Sequence, residues 1–104
     1  MLQNVIEMRK VRISDVVWDK LDELTDFMID EYRLPEDAAM RRIDRLLDFL
    51  YSLSNPVDYA LCRFKRWRTL GYRCATFEDW VFAYEIFDNG VIVQDMAHGA
   101  ALIE

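Results

Sequence analysis

Trp80-Val81-Phe82-Ala83-Tyr84-Glu85-Ile86-Phe87, then Asp88-Asn89-Gly90, then Val91-Ile92-Val93-Gln94-Asp95-Met96-Ala97-His98 is the stretch on which the reading of the fold turns. The first run is apolar at nearly every position and rich in aromatic and β-branched residues. Such a run suits a strand covered on both faces rather than one with a wet side. Asn89-Gly90 is a strong hairpin signal, because a type I′ turn needs positive φ at both central positions. Gln94 and Asp95 interrupt the second run, which places one end of that strand near solvent. The spacing therefore predicts a β-hairpin closing the chain.

Working back from the hairpin, Tyr72 to Phe77 reads as a further strand, with Glu78-Asp79 as the tight turn between them. Met8 to Ser14 alternates basic and apolar residues and predicts a short first strand. Ser14 or Asp15 then caps a helix whose apolar positions, Val17, Leu21, Leu24 and Met28, recur at steps of four, three and four. Pro35-Glu36-Asp37 begins a second helix, with Pro at the first helical position and acids in the first turn. Its apolar stripe is Ala39, Ile43, Leu46, Leu50 and Leu53, and Ser54-Asn55-Pro56 ends it. The link at Arg33-Leu34 is so short that the two helices must form an antiparallel hairpin. Val57 to Leu70 fits two readings, a strand flanked by loops or an irregular arm. The expected class is α+β: an N-terminal strand, a helical hairpin, and a small, mainly antiparallel sheet ending in a three-stranded meander.

The 104 residues suit one domain over 1–104, and 53% of them are apolar, which argues against disorder. Residues 1–7 lack the basic, then long apolar, pattern of a signal peptide, and Met8 offers an alternative start that would make 1–7 an extension. No apolar run approaches the ~20 residues that span a bilayer. These features predict a soluble, cytoplasmic protein without membrane association. Cys62 and Cys74 are expected to be buried free thiols. With His98 the only histidine, neither a metal nor another cofactor is expected.

Charge is distributed unevenly. Residues 14–37 carry nine acids against Lys20 and Arg33, a local balance of −7, within a chain of net charge −6. Residues 61–73 carry Arg63, Lys65, Arg66, Arg68 and Arg73 with no acid, a local balance of +5. An acidic body with one basic strip is not the composition of a general nucleic-acid binder, so direct binding of free nucleic acid is not expected. The strip interleaves Trp67 and Tyr72 with its cations, which suits a phosphate-bearing or acidic protein surface, and equally an edge kept soluble by charge. His98, beyond the last apolar residue of the final strand, is a candidate acid or base near neutral pH, or a strand-end histidine bonded to backbone.

Gly71-Tyr72-Arg73, Trp80 to Tyr84, Asp88-Asn89-Gly90 and His98-Gly99-Ala100, in that order, resemble the RelE/ParE superfamily of bacterial toxins, over Arg9 to about Ala101. The resemblance implies a helical hairpin packed on a small antiparallel sheet. It also implies a growth-inhibiting, plasmid-stabilisation type of toxin held inactive by a cognate antitoxin wrapped over its surface. One branch of the superfamily cleaves mRNA on the ribosome; the other poisons DNA gyrase by protein contact. In a nuclease, His98 would serve as acid or base, and Arg68 or Arg73 would stabilise the phosphorane charge. In a non-nuclease, Arg63, Lys65, Arg66, Trp67, Arg68, Tyr72 and Arg73 would meet the antitoxin or the target. Val81 stands where some nucleases carry an arginine, three residues before the strand tyrosine that Tyr84 matches. Ala101 replaces the arginine of the His-Gly-Ala-Arg ending common in the gyrase branch. The ending favours the non-nuclease branch, with a ribosome-dependent endoribonuclease and a non-toxic binding module of the same fold as alternatives.

Overall fold

The computed structural model describes residues 8–102, so the proposed extension over 1–7 lies outside the described residues. The elements run β1 (Lys10–Ile13), α1 (Asp15–Asp30), α2 (Glu36–Tyr51), α3 (Lys65–Thr69), β2 (Arg73–Phe77), β3 (Trp80–Phe87) and β4 (Gly90–His98). Single 3₁₀ turns follow α2 at Ser52–Ser54 and β4 at Gly99–Ala101. The sheet order is β1-β4-β3-β2. The β2-β3-β4 meander is antiparallel, and β1 lies parallel to β4. This is the expected α+β architecture. Among the described residues, no helix is long and apolar enough to cross a membrane.

The helical hairpin forms because each helix has one apolar stripe and nowhere else to put it. Val17, Leu21 and Met28 of α1, with Ala39, Ile43, Leu46 and Leu50 of α2, are buried against one face of the sheet. Phe82, Tyr84, Val91, Val93 and Met96 supply the opposing layer. Ser14 is the N-cap: its Oγ accepts from the Val17 N–H at 3.3 Å and donates to the Gln94 carbonyl at 3.2 Å. Gln94 is the extra residue of a β-bulge, since β4 advances from Val93 to Asp95 while β3 steps only from Tyr84 to Ala83. The start of α1 is thus fastened to an irregularity in the sheet.

Several expectations need correction. The hairpin loop is Asp88-Asn89, flanked by the Phe87–Gly90 pair, and only Asp88 has positive φ (53°). That is the backbone of a II′-like turn, not the expected I′ turn centred on Asn89-Gly90. Gly90 serves a different purpose, because a Cβ there would lie 3.1 Å from the Lys10 carbonyl oxygen. The first strand needs that close approach to pair with β4. Pro35 is the N-cap residue and not the first helical one. Cys62 and Cys74 form a disulfide with Cα atoms 4.8 Å apart, overturning the free-thiol reading. The spacing of cysteines in sequence carries no information on their distance once a chain reversal separates them.

The centre of β3 is covered on both sides, as expected: Phe82, Ala83 and Tyr84 are successive residues with no exposure. Near the turn, Ile86 and Phe87 are exposed. The second cover comes from the stretch that resisted assignment. Residues 57–70 form neither a free strand nor an irregular arm throughout; Leu61 makes an antiparallel bridge to Arg73, and α3 follows. A five-residue helix is too short to show a period, which is why its sequence hid it.

Gly90→Ala is expected to lower stability by about 1–3 kcal/mol through overpacking against β1. Asn89→Ala should change it by less than about 0.5 kcal/mol, because Asn89 is not in the left-handed region. Urea unfolding midpoints of the two variants test the turn assignment, and the order would reverse for a I′ turn.

Candidate functional site

The basic strip is a structured arm laid across the sheet face opposite the helical hairpin. It joins the outer edge of β2 through Cys62 N–H to the Tyr72 carbonyl (2.9 Å) and Cys74 N–H to the Ala60 carbonyl (3.1 Å). Phe64 precedes α3, and Gly71, at φ 78°, ends it, with the Gly71 and Tyr72 amides donating back to the Arg68 and Trp67 carbonyls. A positive φ at that position is the ordinary way for a helix to reverse into a strand. Trp67 is 1% exposed and packs with Cys62 and Ala83 in a second apolar cluster. The aromatic that looked interleaved for binding is therefore the arm's anchor, and it offers no surface to a partner.

Around that anchor, Arg63, Lys65, Arg66 and Arg68 are exposed. Arg66 sits over the Phe64 ring, 5.5 Å from its centroid, and its Nη2 lies 3.7 Å from Asp95 Oδ2. Tyr72 and Arg73 are half-buried; the Arg73 Nη1 donates to the Tyr59 carbonyl at 2.7 Å. The structure thus brings four of the expected cations onto one exposed surface and uses Trp67, Tyr72 and Arg73 partly or wholly for architecture. Asp95 is the counterpoise. Its Oδ1 accepts from Lys20 Nζ at 2.7 Å and from the Met96 N–H at 2.8 Å, so one carboxylate links α1 on one face to α3 on the other.

His98 is exposed at the far end of β4, paired across the sheet with Trp80, their rings edge to face at 5.4 Å. Its Nδ1 accepts the Ala100 N–H at 3.2 Å, which leaves Nε2 to carry the proton in the neutral ring. The ring stands at the rim of a cleft of about 670 Å³ between α1 and the sheet end, with Leu24, Phe27 and Met96 among its apolar lining and Lys20, Glu23, Arg42, Glu78 and Asp79 among its charged lining. Arg73 pairs with Tyr84, four positions along β3 from the Trp80–His98 pair. At the usual strand rise this is about 13 Å. Arg68 belongs to α3, over the opposite face. The fold does not assemble His98, Arg68 and Arg73 into one constellation.

A polar cluster that the sequence did not announce lies at the Arg73 end. The buried Tyr84 hydroxyl accepts the Tyr59 N–H at 2.9 Å. Arg9 donates through Nε to the Leu53 carbonyl at 3.0 Å and pairs through Nη2 with Asp58 at 2.6 Å. Burial raises the Tyr84 pKa above its ordinary value of 10.0, against the opposing bond from Tyr59 and with a further push from the Asp58 charge. The sequence showed Tyr84 only as part of a strand covered on both faces; its partners come from distant segments and left no local signal.

Because the folded state holds the Tyr84 proton more tightly than the unfolded one, its contribution is intact below the unfolded pKa and is lost as pH rises through the folded pKa. Tyr84→Phe is expected to cost about 1–3 kcal/mol at neutral pH by stranding the Tyr59 amide. The loss should shrink above about pH 10, where the wild-type hydroxyl begins to oppose folding. Denaturant titrations of both chains at neutral and alkaline pH check the two limbs.

No protein-family model and no curated protein matches the sequence. Among solved structures, the chain is similar to one described as "Chromosomal ParDE TA system from P. aeruginosa", with a TM-score of 0.69 at 11% identity. The match covers 89% of this chain and 98% of that one, and at this identity the likeness is one of fold.

Proposed function

We propose that the protein is the toxin of a two-protein toxin–antitoxin module, acting on its target by protein contact in the manner of the ParE branch. The observation that carries this reading is the fold shared with a chain of a ParDE system over nearly its whole length. The ordered motifs from Gly71 to Ala100 support it. In this reading the arm cations Arg63, Lys65, Arg66 and Arg68 meet an acidic segment of the antitoxin, which charge complementarity would steer into place. The cleft beside His98, with an apolar floor and charged residues at its walls, suits an amphipathic helix laid along it. DNA gyrase is the expected target class.

Contact chemistry is favoured over RNA cleavage by the separation of His98 from Arg73. Cleavage needs an acid or base and a cation converging on one phosphate. Those groups lie four positions apart along β3, on strands either side of it, with Arg73 committed to the Tyr59 carbonyl. A ribosome-dependent endoribonuclease would have to draw its cations from elsewhere.

Inducible expression of the chain alone, following growth, mRNA integrity and the DNA-damage response in one culture, tests the proposal. Arrest with intact mRNA and DNA damage is the expected result; cleaved ribosome-associated mRNA would replace it with the nuclease reading. His98→Ala should leave growth arrest largely unchanged, and complete loss of arrest in a folded variant would point to catalysis. Replacing Arg63, Lys65 and Arg68 together by Glu should weaken capture by the antitoxin at least roughly tenfold while preserving the circular dichroism spectrum. Undiminished affinity would remove the arm from the interface.

A further inference from the structure

The main apolar core draws on no residue between Leu53 and Ala75 in the sequence. The segment in that interval is tied at its start by the Arg9–Asp58 pair and the Tyr59–Tyr84 hydrogen bond, and beyond that by its own cluster around Trp67, the two edge hydrogen bonds to β2, the Arg66–Asp95 pair and the Cys62–Cys74 disulfide. The helical hairpin and the sheet face beneath it are therefore complete without the arm, which packs on the other face through the smaller cluster of Cys62, Trp67 and Ala83. Segments of that kind open locally, without global unfolding.

We propose that Cys62–Cys74 is a redox-controlled clasp: as a disulfide it fixes the basic arm on the sheet, and reduction by a dithiol releases the arm while the four-stranded sheet and helical hairpin persist. This goes beyond the toxin reading and does not depend on it. The two sulfurs differ in access. Cys62 is 1% exposed, whereas Cys74 is half-buried and lines an open cleft of about 540 Å³ with Ala60, Leu61, Arg63, Thr76 and Val81. Of the two cysteines, Cys74 is therefore the one an incoming thiolate can approach from solvent, and Arg63 on the same cleft favours a negative charge there.

The exchange balances as a two-electron step. The reductant's thiolate attacks Cys74 Sγ, the S–S bond breaks, and Cys62 Sγ leaves as a thiolate that takes up a proton. The reductant's second thiol then attacks the mixed disulfide, releasing the Cys74 thiol and leaving the reductant as a cyclic disulfide. The protein gains two electrons and two protons, and the dithiol loses them. Four exposed cations, Arg63, Lys65, Arg66 and Arg68, change from a fixed array to a mobile one. A partner that recognises their arrangement would have to order the arm at its own cost when it binds the reduced form.

The full chain is compared after equilibration with oxidised glutathione and after reduction by dithiothreitol, alongside a Cys62→Ser/Cys74→Ser variant. The readouts are free-thiol content, the rate of trypsin cleavage after Arg63, Lys65, Arg66 and Arg68, and amide exchange. Reduction should accelerate cleavage within the arm and exchange of the Cys62 and Tyr72 amides at least roughly tenfold, since a cross-link closing a loop of this size strongly restricts opening. Exchange at Phe82 and Tyr84 should not change, and the double variant should match the reduced chain under both conditions. Two free thiols after equilibration with oxidised glutathione would overturn the proposal, as would equal arm cleavage in both states. Global unfolding on reduction would overturn it too, by making the disulfide a structural staple. None of these readouts involves growth arrest, so the clasp and the toxin reading stand or fall separately.

Discussion

Phe82, Ala83 and Tyr84 follow one another on β3 with no exposed surface, and alternate side chains of a strand point to opposite faces. The middle of the sheet must therefore be covered twice. Burial of a large apolar side chain is favourable by about 1.5–3 kcal/mol, so neither face can be left wet without a large loss. The helical hairpin meets the Phe82 and Tyr84 side. On the Ala83 side the residue is small, and the large indole of Trp67 fills the space above it. The existence of the arm, its short helix and its place across the sheet all follow from that demand.

This double cover also organises charge. The acids of residues 14–37 are carried by the hairpin on one face, and the cations of the arm lie over the other. At physiological ionic strength the Debye length is about 8 Å, so the two fields act largely independently across the sheet. Asp95, at the bulge, joins them, holding Lys20 from one side and Arg66 from the other. A protein of net charge −6 can in this way present a locally cationic surface to an acidic partner.

The sheet differs in kind along its length. At one end Trp80 and His98 border a cleft of mixed apolar and charged lining; further along β3, Tyr84, Arg9, Asp58 and Arg73 close the core with hydrogen bonds. That separation bears on mechanism, since His98 on β4 and Arg73 on β2 are divided by β3 and are offset along it as well. Register here places Arg73 opposite Tyr84 and His98 opposite Trp80.

Local sequence alone determined the two long helices, their hairpin, the four strands and the α+β class, because apolar periodicity, capping residues, turn residues and short links each act over a few neighbouring positions. The motif order from Gly71 to Ala100 pointed to a fold that the solved structures share. Contacts between segments far apart in sequence were decided only in three dimensions. Cys62 met Cys74, Trp67 turned inward, Gly90 made room for Lys10 and not for a turn, and His98 parted from Arg73. In each case the residue type admits several environments of similar free energy, and the choice among them belongs to the neighbour that packing supplies.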